Sequence, residues 1–177
     1  MRNGATVVAV AVLAVAGAVL PACAQDDVKV REQALGTLLV EKLGKEASAI
    51  RVTLVGDKAI LTGEVETRSV QELAEEVALF DAGVKSVDNQ VKARYDPKLG
   101  KGMLTKEAGD SELEATVKMR LRAEIGIHAE KLEVEAVAGW VSLRGETPDS
   151  ARRDIALSTA TGTKGVDKVI DLLRVAK

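Results

Sequence analysis

Hydrophobic and polar positions alternate along this chain with two different periods. From Val28 to Leu43 the apolar residues recur at helical spacing, and from Val52 to Gly63 they alternate with polar residues on both sides of Gly56-Asp57. Helical periodicity followed by two alternating runs around a glycine turn predicts a helix and then a β-hairpin. A second helical stretch after Thr67 and a last alternating run over 87–94 complete a helix, strand, strand, helix, strand order.

The same pattern occurs a second time further along the chain. When the sequence is shifted by 82 positions along itself, Gly63 aligns with Gly145 and Gly83 aligns with Gly165 without any gap. Repeats of this kind are one structural unit used twice. Aliphatic and acidic positions coincide in the same frame, pairing Glu32 with Glu114, Leu39 with Leu121, Ala47 with Ala129, Val52 with Val134, Leu61 with Leu143, Ala74 with Ala156 and Val87 with Val169.

These four repeated glycines are predicted to be structural. We expect Gly63 and Gly145 to lie on the inward face of each hairpin, where a missing side chain lets a helix approach the sheet closely. Gly83 and Gly165 follow the second helical stretch of each copy, so we expect them to end that helix as C′ residues. Thr67 and the equivalent Asp149 are suitable N-caps for the same helices.

The predicted fold class is α+β, with two tandem αββαβ modules that each place two helices on one face of a three-stranded sheet. We expect module 1 over 28–95, a polar and glycine-broken linker over 96–110, and module 2 over 111–177. A module of about 65 residues buries only about 60% of its unfolded surface. The two modules are therefore expected to pack on each other.

The first 24 residues have the order of a secretory signal: an early positive charge, a short apolar run, and an exit with small residues. Two endings remain open. Ala22-x-Ala24 fits cleavage before Gln25, whereas the stretch up to Cys23, the sole cysteine in the chain, resembles the lipoprotein box in which that cysteine is lipidated. The first ending predicts a soluble periplasmic protein, and the second predicts a lipoprotein anchored at the outer membrane.

Composition excludes several functions. Charge is balanced, at 25 Lys+Arg against 27 Asp+Glu, and the aromatic residues are Phe80, Tyr95 and Trp140 alone. A nucleic-acid binder is not expected from such a chain. With His128 as the single histidine and Cys23 inside the signal, we expect no catalytic site, no metal site and no cofactor. The glutamates at 64, 66, 72, 75 and 76 are interpreted as a solvated face.

Candidate contact residues lie in the second copy. Lys118 and Arg122 are four positions apart on its first helix, beside the apolar stripe, and can face anionic headgroups or remain solvated surface charges. Trp140 occupies the position that Lys58 has in the first copy. It is either an exposed anchor for a partner or a residue that packs against the other module or the linker.

The glycine and aliphatic motifs resemble those of the BON domain family, in particular its envelope proteins with two BON domains. The motifs are Val52-x-Leu54, Leu61-x-Gly63-x-Val65 and Gly83-Val84-x-x-Val87-x-Asn89, followed in the second copy by Leu132-x-Val134, Leu143-x-Gly145 and Gly165-Val166-x-x-Val169-x-Asp171. They cover nearly all of the chain after the signal, but they are structural motifs and identify a fold better than an activity.

The resemblance implies an exported protein of the periplasm or outer membrane that binds phospholipid or envelope proteins, supports envelope integrity and, in some relatives, responds to osmotic stress. It also implies lipid contact through the first helix of the second module, near an aromatic residue in a lipoprotein relative. The matching position here is Leu113, which is not aromatic. We expect a non-enzymatic envelope module that binds anionic phospholipid or envelope proteins and supports envelope integrity. The alternative is a periplasmic, stress-protective protein-interaction module without lipid binding.

Overall fold

The computed structural model describes residues 22–81, 83–94 and 106–176. The predicted signal up to residue 21, most of the predicted linker and the side chain of Cys23 lie outside the described residues.

Each module has the predicted helix, strand, strand, helix, strand order, with a short 3₁₀ helix added after its first helix. Module 1 consists of α1 (Ala22–Leu43), a 3₁₀ helix (Lys45–Ala49), β1 (Arg51–Val55), β2 (Lys58–Val65), α2 (Arg68–Phe80) and β3 (Ser86–Ala93). Module 2 consists of α3 (Lys106–Ile125), a 3₁₀ helix (Gly126–Lys131), β4 (Leu132–Val137), β5 (Trp140–Thr147), α4 (Ser150–Thr161) and β6 (Lys168–Val175). Helix α3 thus begins inside the predicted linker.

The two sheets have the same topology. The central strand of each, β2 or β5, is antiparallel to the preceding strand and parallel to the following one. The antiparallel pair is joined by a tight turn, whereas the parallel pair requires a crossover, which α2 or α4 supplies. These two mixed sheets with their helices confirm the predicted α+β class and the tandem modules.

Glycine is required at one equivalent position in each module. Gly63 has a φ of 138°, and a Cβ built on it would lie 2.3 Å from the carbonyl oxygen of Ala49. Gly145 has a φ of 139°, and its Cβ would lie 2.4 Å from the carbonyl oxygen of Lys131. Both the left-handed backbone and the close contact exclude a side chain. The approaching group is the end of the 3₁₀ helix, which differs from the long helix that we expected there.

The second helix of each module begins where the sequence predicts but does not end there. The side chains of Thr67 and Asp149 accept hydrogen bonds from the backbone N–H groups of Val70 and Arg152, as N-caps do. Helix α2, however, ends at Phe80 with Asp81 as its C-cap, and α4 ends at Thr161 with Gly162 as its C-cap. Gly83 and Gly165 lie in the loops that follow, so the expectation that they are C′ residues is wrong.

The modules stack on each other in four layers: the sheet of module 1, its helices, the sheet of module 2, and its helices. Val137, Ile170 and Leu172 from module 2 belong to the same buried cluster as the core of module 1. Helix α2 is therefore buried on two sides and has seven buried residues, whereas α4, which covers only its own sheet, has three. The expected packing of one module on the other is present, and it places the outer face of one sheet against a helix layer.

Candidate functional site

The contact between the modules is made by α1 and α2 on one side and the outer face of the second sheet on the other. We call it the module interface and define its apolar part as Val137, Ile170, Leu172 and the partly buried Trp140 against the core of module 1. Ile170 and Leu172 are 1% and 0% exposed, as completely buried as residues in the centre of either module. Such burial contributes about 1.5–3 kcal/mol for each large aliphatic side chain, which makes the contact a substantial one.

Polar groups fix the register of this contact at the start of α2. The Ser69 hydroxyl donates to the carbonyl oxygen of Val137 at 3.0 Å. Arg68, whose side chain is 11% exposed, donates to Glu72 and to Asp110 of helix α3, both at 2.8 Å. A guanidinium with two carboxylate partners has its charge compensated in spite of burial. These bonds specify one arrangement of the modules.

Two cations of β6 lie at the C-terminal ends of the module 1 helices. Lys168 donates to the carbonyl oxygen of Leu43, the last residue of α1, at 2.9 Å, and Arg174 donates to the carbonyl oxygen of Phe80, the last residue of α2. Positive charge is favourable there because helix C-termini carry partial negative charge. The Lys168 ammonium also lies 4.1 Å from the centroid of the Trp140 ring, and burial lowers the pKa of Lys168.

Trp140 is therefore placed at the module interface, packed against module 1 and beneath Lys168. This position agrees with the second of the two sequence interpretations, packing against the other module. The cation–π contact adds to the apolar burial of the ring.

An acidic cleft of about 440 Å³ opens at the edge of the module interface. It is lined by Glu76 of α2, Glu114 of α3, and Glu133 and Glu135 of β4, with the Arg144 guanidinium 3.3 Å from Glu76. Burial, followed by the charges of Glu76 and Glu114, raises the pKa of Glu135 to about 7. Glu76 lies partly buried here, so the interpretation of its glutamate run as a solvated face is wrong at this position.

A second cleft, of about 310 Å³, lies on the outer side of module 2 and is lined by Lys118, Arg122, Ala129, Glu130 and Leu132. The spacing of four residues does bring Lys118 and Arg122 to one place. Two large apolar side chains from the same segment are exposed, Met119 at 68% and Ile127 at 74%.

We call this region the basic surface, defined as Lys118, Met119, Arg122 and Ile127. Lys118 pairs with Glu114 at 3.7 Å, and Arg122 pairs with Glu130. Exposed pairs of this kind are weak and exchange readily with other anions.

Leu113 occupies a different environment from the rest of α3. Its half-buried side chain packs on the core of module 2, and its Cδ1 would lie 3.5 Å from a Cβ built on Gly165. It therefore presents little apolar area to a ligand.

The edge strands of both sheets are blocked by side chains. Glu32 accepts from the N–H of Leu54 in β1 at 2.8 Å, and its repeat counterpart Glu114 accepts from the N–H of Ala136 in β4 at 3.2 Å. On the opposite edges, Asn89 and its counterpart Asp171 accept from the second following N–H in β3 and β6. Blocked edges resist pairing with a further strand. The repeated glutamate was visible in the sequence, but its bonding partner was not.

His128 and the acidic side chains do not form a metal centre in the part of the chain that the structure describes. Within 22–81, 83–94 and 106–176, no group of three or more His, Cys, Asp or Glu side chains is arranged to hold a metal ion. His128 lies in the 3₁₀ helix of module 2. Among the same residues no helix is both long enough and apolar enough to cross a membrane.

Comparison with known proteins gives relatives along most of the chain. A 21 kDa hemolysin of Actinobacillus pleuropneumoniae is 29% identical over 84% of this chain and 73% of its own length. The osmotically-inducible protein Y of Escherichia coli K12 is 33% identical over 62% of this chain and 53% of its own length. Among solved structures, the C-terminal domain of CdsD, a structural protein of the type III secretion system of Chlamydia trachomatis, aligns with 84% of this chain and 67% of its own, at 14% identity and a TM-score of 0.34.

The family comparison is more specific than any of these. The model of the BON domain matches twice, over residues 26–95 and 109–177, and so covers both modules. These matches are to a non-catalytic family, and one of the relatives is named for its osmotic induction. The chain belongs to the BON domain family.

Proposed function

We propose that this protein is an exported, non-enzymatic component of the cell envelope that contacts anionic phospholipid through the basic surface of module 2. The observation that carries the proposal is the exposure of Met119 and Ile127, at 68% and 74%, in the chain segment that also supplies the cleft residues Lys118 and Arg122. Exposed large apolar side chains that are flanked by cations suit a surface with an apolar interior and anionic headgroups.

The basic surface is specific to module 2. The positions in module 1 that correspond to Lys118, Met119, Arg122 and Ile127 hold Gly36, Thr37, Val40 and Lys45. A cation near an anionic leaflet contributes about 1 kcal/mol, and partial burial of Met119 and Ile127 adds a similar amount. Glu114 and Glu130 compete for the two cations, so we expect weak binding that salt opposes.

Stable residence at a membrane requires a second attachment besides this contact. Lipidation of Cys23 after removal of the predicted signal supplies it if the lipoprotein ending is used. Cleavage before Gln25 instead yields a periplasmic protein that binds the membrane reversibly. The intact mass of the mature N-terminus separates the two endings, since acyl chains on Cys23 add a characteristic mass.

Binding is tested by co-sedimentation of the mature protein with vesicles. We expect it to sediment with vesicles that contain phosphatidylglycerol, and to be released by 0.5 M salt, where the Debye length falls to about 4 Å. The double variant K118Q/R122Q removes both cations and should weaken binding by about tenfold, which corresponds to about 1.4 kcal/mol. M119S should weaken it by a few fold.

The matched control is R51Q/K92Q, which removes two exposed cations from the sheet of module 1 and leaves the basic surface intact. It should bind as the wild type does. Equal loss in both double variants would show that only net charge matters, and binding to neutral vesicles that ignores salt would contradict the electrostatic contact.

The alternative function is a periplasmic stress-protective module that contacts other proteins. It is favoured by the outer face of the module 1 sheet, which is solvent-facing and carries Val55 at 62% exposure. Trp140 packs against module 1, so we do not expect it to act as the exposed anchor for a partner. Cross-linking in cells from a reactive residue at position 55 tests this function, and recovery of no defined protein partner would count against it.

A further inference from the structure

Two carboxyl groups meet across the module interface. Glu76 lies on α2 of module 1 and Glu135 on β4 of module 2, and both are half-buried and line the same acidic cleft. Two ionised carboxylates in one half-buried cleft repel each other, and a proton bound by either of them removes that repulsion. The docked modules are therefore expected to bind a proton more tightly than the separated modules.

The surroundings of the pair are predominantly negative. Glu72 and Glu75 on α2, Glu133 on β4 and Glu114 on α3 all act on one or other member of the pair. The cations that line the cleft are Arg144 of β5, shared between Glu76 and Glu133, and Lys118 of α3, which pairs with Glu114. Arg144 thus compensates part of the negative charge, but among the residues that line the cleft no cation pairs with Glu135.

We propose that docking of module 2 on module 1 is proton-linked, and that a proton bound by Glu76 or Glu135 holds the modules together whereas its loss weakens their contact. The geometry supports the link because the two groups belong to different modules. Separation of the modules moves the two carboxyl groups apart and exposes both to water. Their mutual repulsion therefore opposes docking.

The direction of the effect follows from the pKa values. Burial first, then the charges of Glu76 and Glu114, raises the pKa of Glu135 from 4.5 to about 7, and burial also raises the pKa of Glu76. The docked form thus holds a proton that the separated form releases above pH 4.5. Stabilisation of docking is complete below pH 4.5 and is lost as the pH rises through about 7. For a half-buried, coupled pair we expect at least about a tenfold decrease in the docking constant between pH 5.5 and pH 8.

Trp140, the single tryptophan of the chain, reports docking directly because its ring packs against module 1. The experiment follows Trp140 emission of the full chain during urea titration at pH 5.5, 6.5, 7.5 and 8. The transition should move to lower urea as the pH rises. At a fixed urea concentration within it, the separated-to-docked ratio should increase by about tenfold over this range.

The isosteric variants Glu135→Gln and Glu76→Gln remove the ionisable group while an amide can still donate to the remaining carboxylate. Glu135→Gln should reduce the pH dependence to about twofold or less, whereas Glu76→Gln should reduce it in part, because burial still raises the pKa of Glu135. Glu124→Gln, an exposed glutamate on α3, should keep the full dependence. Burial lowers the pKa of Lys168, which acts in the opposite direction and is unchanged in every variant.

A wild-type transition that stays at the same urea concentration from pH 5.5 to pH 8 would overturn the proposal. So would a pH dependence that survives in both glutamine variants. If one variant fails to fold by circular dichroism, the other still decides the outcome, because each removes one half of the same pair.

Discussion

The outer faces of the two sheets differ although the sheets have the same topology. In module 1 this face is polar and contains no buried residue among Arg51, Thr53, Val55, Lys58, Ile60, Thr62, Glu64, Ser86, Asp88, Gln90 and Lys92. In module 2 the equivalent face covers helix α2 and contains the fully buried Leu172. The repeat places Asp88 on Ile170, Gln90 on Leu172 and Lys58 on Trp140.

The inner faces, by contrast, remain alike. Leu61 and Leu143 are both 0% exposed, and so are Ala74 and Ala156 of the covering helices α2 and α4. Each inner face must pack under its own helices, so the same small and aliphatic residues are retained in both copies. An outer face has no such constraint, and one copy has become an interface while the other has remained a solvent surface.

The largest expected effect comes from giving the outer face of module 2 the residues of module 1. The double variant I170D/L172Q buries a carboxylate and an amide without partners against α2. We expect a loss of about 4 kcal/mol from the docking free energy, because an unpaired buried charge is the most costly of single changes. Urea unfolding followed by Trp140 emission should show the modules separating before they unfold.

The reciprocal variant D88I/Q90L is the control for that comparison. Asp88 and Gln90 lie on the solvent-facing sheet, so their replacement should change the stability of module 1 by about 0.5 kcal/mol or less. An equally large loss in both variants would mean that the two outer faces do not differ energetically.

A smaller effect is expected at the first residue of α2. R68A leaves Asp110 and Glu72 without their shared guanidinium at a site that is 9% exposed. We expect a loss of about 3 kcal/mol, since removal of the guanidinium deprives Asp110 of its ion-pair partner at this buried site. The measurement is thermal and urea unfolding.

The corresponding residue of α4 is Ser150, which is exposed. S150A should change stability by about 0.5 kcal/mol or less, because nothing in module 2 depends on that side chain. A loss as large as that of R68A would contradict the distinction between an interface helix and a solvent-facing helix.

The smallest expected effect concerns the two N-caps. T67A should cost about 1 kcal/mol at any pH, since a hydroxyl does not titrate here. The pKa of Asp149 is held below its usual range by the backbone N–H of Arg152 and by the side chain of Arg152. The stabilisation by Asp149 is thus present above pH 3.8 and is lost as the pH falls below it.

The difference between D149A and the wild type should therefore shrink between pH 5 and pH 2.5, while that between T67A and the wild type persists. Thermal unfolding at the two pH values measures both. A D149A difference that stays constant in acid would show that the carboxylate charge has no part in the cap.

Local elements and the duplication were predictable from the sequence. The hairpins around Gly56-Asp57 and Ala138-Gly139, the caps Thr67 and Asp149, and the spacing that brings Lys118 and Arg122 to one cleft follow from neighbouring residues. The helix ends were predicted less well. Asp81 and Gly162 compete as C-caps with Gly83 and Gly165, and the sequence does not show which hydrogen bonds form.

From the sequence we expected the two modules to pack on each other, but not which surfaces form the module interface. One signal was available: polar Asp88 and Gln90 become apolar Ile170 and Leu172 in the repeat, on positions that face away from the module's own helices. The sequence contains no comparable signal that Glu76 and Glu135 lie in the same cleft. In the repeat Glu76 falls on Ser158 and Glu135 on Thr53, so neither position suggests a partner.

By itself the sequence determined two αββαβ modules and their required glycines, because periodicity, capping and backbone conformation depend on residues close in the chain. Tertiary structure alone decided which sheet face is covered, where Trp140 lies and which glutamates line the interface cleft. These depend on contacts such as Ser69 with Val137 and Arg68 with Asp110, whose partners are far apart in the chain. Burial and charge at such contacts arise only when the two modules are packed together.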